Sequence, residues 1–116
     1  RDIAARDGES IRAGMERLKQ DVLNRSIPPA ELRGQTITLS NFGSIGGRYA
    51  ELVVVPPQVA IIGAGRAEPA VVPIDGKPAV RTLLPLSLSF DHRACTGAEA
   101  ARFLAAVITH LENADA

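Results

Sequence analysis

The feature that most constrains this chain is the passage from residue 86 to residue 111. Leu86, Leu88 and Phe90 alternate with Ser87 and Ser89, the period-two pattern of a half-buried strand. Asp91, His92, Arg93, Ala94, Cys95 and Thr96 then form a short loop, and Gly97 punctuates the chain. Beyond it Ala100, Phe103, Leu104, Val107, Ile108 and Leu111 recur at three-and-four spacing, which predicts an amphipathic helix. A histidine between two packed elements is held more firmly than one on a free loop, and catalytic geometry needs that rigidity.

Upstream, Ser10 is a candidate N-cap for a first helix carrying Ile11, Met15, Leu18 and Val22 on one stripe. The Pro28-Pro29 pair is expected to end that helix, with one short turn through Leu32 before Gly34. Thr36 to Ser40 reads as a strand rich in β-branched residues. It empties into a loop, residues 41–47, that contains Gly43, Gly46 and Gly47, and glycines at that density let backbone approach a ligand closely. An ordinary wide turn has the same composition.

Two apolar runs, 52–55 and 58–62, are split by Pro56-Pro57 and read as separate extended segments. The run from Val59 to Gly65 resembles the start of a dinucleotide fingerprint. It fails, because Glu68 takes the third glycine position and Pro69 sits where the phosphate-binding helix should run. Residues 71–74 and 79–84 flank Asp75-Gly76 and read as a hairpin. Pro85 then implies an edge position or a bulge just before the histidine strand.

With 46% hydrophobic and 22% charged residues the composition is that of a globular domain, and the length suffices to bury about two thirds of the unfolded surface in a real core. Formal net charge is zero, so nucleic acid or an acidic membrane has no electrostatic footprint here. Neither a membrane-spanning run nor a signal peptide is present in the sequence. The single cysteine, Cys95, excludes an intramolecular disulfide and a cysteine-based zinc site, and points to a reducing compartment. The chain opens on Arg1 rather than Met, the expectation for an excerpt of a longer polypeptide.

An imidazole, with its ordinary pKa of about 6.5, is the side chain suited to taking a proton near neutral pH. His92 stands among Asp91, Arg93 and a helix start, whereas His110 lies beside Glu112 near a helix end and reads as a favourable charge at that terminus. Three schemes fit His92. Ser40 or Ser44 with His92 and Asp91 would be a hydrolase triad, but no G-x-S-x-G elbow exists. Cys95 with His92 would be a thiol enzyme, at poor spacing for that pair. In the third, the histidine deprotonates a substrate thiol and a serine hydroxyl donates to the oxyanion.

The segment from Phe90 to Gly97, followed by Ala98-Glu99-Ala100-Ala101-Arg102-Phe103-Leu104, resembles the active-site signature of the dihydrolipoamide acyltransferases, the E2 components of 2-oxo acid dehydrogenase complexes. The run from Thr36 to Gly47 resembles their other hallmark, and Pro56-Pro57-Gln58-Val59-Ala60-Ile61 matches a third segment in the right order. The resemblance covers essentially the whole chain. It implies an α/β fold of the chloramphenicol-acetyltransferase type, a mixed sheet covered by helices, with residues 1–116 as the C-terminal half of the catalytic domain. His92 is similar to the family's general base, and Ser40 to the serine that donates to the tetrahedral oxyanion, the two meeting across a subunit boundary within a homotrimer. Ser40, Asn41, Ser44, Gly65 and Ala67 match positions bordering the coenzyme A channel.

The resemblance also implies a lipoyl group carried on a domain outside this chain, contacts with the E1 and E3 components through domains that are absent here, and assembly of trimers into a larger core. It implies a bacterial cytoplasmic or mitochondrial matrix setting, and no metal. The loop with Gly43, Gly46 and Gly47 favours a branched-chain acyl substrate by a small margin. One position departs from the pattern. The family usually has H-R-x-x-D-G or H-R-x-x-N-G, and here Thr96 replaces that Asp or Asn. Thr96 is therefore a third catalytic candidate, and the alternative to a working enzyme is a catalytically impaired structural core subunit.

Overall fold

The computed structural model describes residues 3–114. By contact it divides into two units, Arg1–Gly34 and Gln35–Ala116.

In the first unit helix α1 spans Gly8–Leu23. Its N-cap is Asp7 rather than Ser10: the Asp7 carboxylate accepts the Ser10 backbone N–H at 2.8 Å, so Ser10 already lies inside the first turn. A carboxylate here satisfies an orphan donor and also places negative charge at the positive end of the helix. The prolines do not end the helix either. Arg25 adopts a left-handed φ of 54°, its N–H donates to the Val22 carbonyl, and the Ser26 N–H donates back to that of Asp21. That paired closure terminates α1 before Pro28 is reached. The predicted short turn is present as a 3₁₀ turn over Pro29–Leu32. Arg17 joins it to α1, bonding Asp21 at 2.8 Å and Glu31 at 3.2 Å.

In the second unit strands β1 (Ile37–Asn41), β2 (Ala60–Ala64) and β5 (Leu86–Phe90) form a mixed sheet in the order β1-β2-β5. β1 runs parallel to β2, and β5 antiparallel to it. Strands β3 (Glu68–Ile74) and β4 (Lys77–Leu83) pair only with each other, as the hairpin expected around Asp75-Gly76. Both turn residues have positive φ, 51° and 75°, the geometry that matches the twist of the two arms. Pro85 marks the break at which the chain leaves one sheet and joins the edge of the other. Helix α2 (Gly97–Glu112) follows β5 and packs on it.

Residues 52–55 form no strand, and the Pro56-Pro57 segment turns, with the Gln58 N–H donating to the Val55 carbonyl at 3.1 Å. After Gly65 the chain enters β3 instead of a helix, consistent with the rejected dinucleotide site. The enclosed core expected from length does not form. Ala60 and Ala100 are the buried hydrophobic residues among those described, while Leu39 is 71% and Val71 70% exposed. The apolar residues are spread over an open three-stranded sheet and a separate two-stranded arm, with α2 against β5. No helix among the described residues is long and apolar enough to cross a membrane.

Candidate active site

The sheet register fixes where the sequence-predicted residues lie. Ser40 is level with Gly63 on β2, and Gly63 with Ser87 on β5, so these three share one rung and one face. At the other end of the sheet Ile37 is level with Ala60, and Ala60 with Phe90. His92 lies two residues past Phe90, beyond that end. With strand rises of about 3.3 Å and strand spacings of about 4.8 Å, the sheet alone puts roughly 14 Å between Ser40 and Phe90, and His92 lies past Phe90. The chain does not bring them together.

The Ser40 end is built from backbone. The Phe42 N–H continues the ladder to the Ala64 carbonyl at 3.1 Å, and the Asn41 side-chain oxygen accepts the Gly43 N–H at 3.3 Å. Ile45 and Gly46 both donate to the Phe42 carbonyl, which curls the 41–47 loop on itself. Gly43 lies so close to Gly65 that a Cβ on it would collide with the Gly65 carbonyl and sit 2.8 Å from the Arg66 nitrogen. A Cβ on Gly65 would in turn collide with the Arg48 carbonyl. These contacts bring the 41–47 loop, which carries Asn41 and Ser44, against the segment after β2 that begins with Gly65 and Arg66 and continues to Ala67.

Beside Ser40 on the neighbouring strand, Gly63 leaves room for Leu52, Phe42 and Ser87, each of which a Cβ there would meet at 2.7–2.9 Å. The Ser87 hydroxyl is buried with no hydrogen-bond partner.

The His92 end is built from side chains close in sequence. Asp91 accepts the Arg93 backbone N–H at 3.0 Å and grips the guanidinium through Nε at 3.0 Å and a terminal nitrogen at 2.7 Å. Those bonds hold the Asp91 carboxyl down at about 2, from an ordinary 3.8. The carboxylate is thereby committed to Arg93. The hydrolase arrangement, which needs Asp91 on His92, is not formed. The His92 ring is exposed and leans on Phe90, with centroids 5.4 Å apart at a tilt of 41°.

Thr96 caps α2. Its hydroxyl accepts the Glu99 N–H at 3.3 Å and donates to the Glu99 carboxylate at 2.8 Å, while its own N–H donates to the same oxygen at 2.8 Å. This reciprocal cap spends the one hydroxyl proton on Glu99. It also lowers the Glu99 pKa, chiefly through the Thr96 backbone N–H and then its hydroxyl. Cys95 is half-buried and unpaired, and His110 occupies the last turn of α2 as expected. No group of three or more His, Cys, Asp or Glu side chains among the described residues is placed to hold a metal.

Sequence reasoning passed over Glu99 and Arg66. The Thr-x-x-Glu spacing before an apolar run was a readable signal for Glu99. Nothing local signalled Arg66, whose side chain bonds a carbonyl 23 residues away.

Over residues 1–116 the sequence matches the family described as 2-oxoacid dehydrogenases acyltransferase (catalytic domain). The chain belongs to this acyltransferase family. Among relatives, the lipoamide acyltransferase component of the branched-chain alpha-keto acid dehydrogenase complex of Pseudomonas putida is 43% identical over 98 residues, covering 84% of this chain and 23% of that protein. Among solved structures, the Azotobacter vinelandii dihydrolipoamide acetyltransferase superposes with a TM-score of 0.89 at 33% identity, covering 96% of this chain and 46% of that one. The cubic core of a pyruvate dehydrogenase multienzyme complex superposes with a TM-score of 0.80 at 36% identity, covering 86% of this chain and 41% of that one. The acyltransferase fold is therefore the one expected from the family resemblance. The chain spans about a quarter of the curated relative's length and just under half of the solved chains.

Proposed function

We propose that this chain is the C-terminal half of an acyltransferase catalytic domain that moves an acyl group between a dihydrolipoyl thiol and coenzyme A. The observation that carries the assignment is one of spacing. The Azotobacter enzyme was studied for the role of a serine, a histidine 52 residues further on and an asparagine four beyond that in its catalytic mechanism. Ser40, His92 and Thr96 have the same two separations.

In this reading the His92 imidazole takes the proton of the acceptor thiol as its sulfur attacks the thioester carbonyl. The carbonyl oxygen becomes an oxyanion and accepts a hydrogen bond from the Ser40 hydroxyl. Collapse breaks the original carbon–sulfur bond, and the departing sulfur takes the proton back from His92. The surface bordered by Asn41, Ser44, Gly65 and Ala67 admits the thiol carrier along the glycine loop.

Because one chain holds Ser40 and His92 at opposite ends of its sheet, each reaction centre takes its serine from one protomer and its histidine from another. A homotrimer, assembled into a larger core, is the arrangement that fits. The lipoyl group and the contacts with E1 and E3 then belong to other domains of the whole protein. The substrate is an acyl thioester whose acyl group derives from a 2-oxo acid, with branched-chain acyl groups as the first to test.

The test uses the full-length protein, a panel of acyl-coenzyme A donors and dihydrolipoamide. His92→Ala should lower turnover about 10²- to 10⁴-fold, and Ser40→Ala about 10²- to 10³-fold. Co-assembling the two inactive variants should restore a fraction of the activity, since some interfaces then pair an intact serine with an intact histidine. Near-normal turnover of His92→Ala ends the assignment, and hybrids as inactive as their parents end the shared site.

A second reading, an impaired core subunit, is favoured by one observation: the Thr96 hydroxyl proton is held by Glu99 and is not free for a reacting group. It predicts no acyl transfer by the wild type and a gain of transfer in Thr96→Asn.

A further inference from the structure

We infer that Arg66 is a positioning residue, a strap that holds the 41–47 loop in the shape the thiol carrier meets. The inference rests on the acyltransferase reading of this surface. Arg66 makes two bonds to the loop from opposite ends of the residue. Its Nε–H donates to the Gly43 carbonyl at 3.0 Å, and its backbone N–H donates to the Gly47 carbonyl at 2.8 Å. The two carbonyls bracket Ser44, so both flanks of that residue hang on Arg66.

The loop needs such an outside hold. Its internal bonds, from Ile45 and Gly46 to the Phe42 carbonyl, close a turn but do not say where the turn sits. Gly46 and Gly47 give it few side-chain contacts, and Gly47 has a φ of 93°, with nothing within 4 Å of where its Cβ would be. The close approach of Gly43 to Gly65 sets the distance between the two segments. The guanidinium supplies a directional bond across that contact, and a charged donor makes a stronger bond than a neutral one.

Removing the side chain takes away the Gly43 bond and leaves the backbone bond to Gly47. Arg66→Ala in the full-length assembled protein should therefore speed amide exchange at Ile45 and Gly46 while leaving α2 unchanged. It should lower kcat/KM about tenfold, by the same factor with acetyl-coenzyme A and with acetyl-pantetheine, which lacks the phosphates. Added guanidinium ion should restore part of that loss, and Arg66→Lys should fall between wild type and Arg66→Ala. Unchanged exchange at Ile45 and Gly46 overturns the strap. So does a loss confined to acetyl-coenzyme A, which would make Arg66 a phosphate contact instead. Ser40→Ala run in parallel separates the two ideas. If Ser40→Ala is impaired and Arg66→Ala is normal, the strap fails and the acyltransferase reading stands. If neither is impaired, that reading fails, and exchange at Ile45 and Gly46 still decides whether Arg66 holds the loop.

Discussion

At the Ser40 end of the sheet, backbone lies on backbone: Gly43 against Gly65, and Gly65 against the Arg48 carbonyl, with partners some 20 residues apart in sequence. At the His92 end, side chains hold side chains two and three residues away, Asp91 with Arg93 and Thr96 with Glu99. The first end has no space to give. The second is assembled on the surface from exposed groups, where individual ion pairs contribute little. In the proposed reaction Ser40 acts as oxyanion donor and must be in place before the substrate arrives, a role that a close-packed backbone frame suits. His92, the proposed proton-transfer ring, needs open access, and its exposed position suits that role.

That contrast is broken most easily with glycines. Gly43→Ala forces its Cβ into the Gly65 carbonyl, so one of two backbone segments must move. We expect a loss of about 3 kcal/mol, read from urea unfolding, the upper range for overpacking at a site that cannot relax. Gly97, at the histidine end, has nothing within 4 Å of its Cβ position and begins α2. Gly97→Ala should cost nothing, and by helix propensity it could add up to about 1 kcal/mol. Equal effects of the two substitutions would erase the distinction between the ends.

A pH titration sharpens it next. The folded-state pKa of Asp91 is depressed from 3.8 to about 2 by Arg93, so its contribution is complete above the unfolded value and is lost as pH falls through the folded one. Carboxyl carbon NMR should show Asp91 titrating near 2 and the Arg93→Met variant returning toward 3.8. A wild-type midpoint near 3.8 would mean the clamp is absent in solution.

The same contrast explains what could be read from the sequence. The strand–loop–helix around His92 and the Asp75-Gly76 hairpin were legible, because turn chemistry and periodicity act within a few residues. Strand β1 was legible to within one residue, ending at Asn41 rather than Ser40. The α1 cap was misplaced because Asp7 and Ser10 are both good capping residues, and only the backbone geometry says which lies outside the helix. The Gly43–Gly65 contact and the Arg66 bond were not legible. Each joins segments whose approach is set by strand pairing, and no periodicity encodes that. The sparse core was hidden for a related reason: apolar content shows how much surface wants burial, not whether this chain itself provides the cover.

The smallest effect concerns Glu99, and it tests whether the histidine end is held by geometry or by charge. The Glu99 carboxylate accepts from both the N–H and the hydroxyl of Thr96, and its pKa is lowered accordingly. Glu99→Gln keeps an acceptor oxygen in the same place, so the cap survives and stability at neutral pH should be nearly unchanged. What Glu99→Gln should abolish is the acid-side decline that the wild type shows as this carboxylate protonates. Thr96→Ala, by contrast, removes the hydroxyl from the cap and should cost about 1 kcal/mol. Thr96→Asp would set a second carboxylate beside Glu99, whereas Thr96→Asn caps without added charge, which is why the asparagine variant is the cleaner test of activity. If Glu99→Gln proves as damaging as Thr96→Ala, the loop before α2 is held by the charge on Glu99 rather than by the shape of the cap.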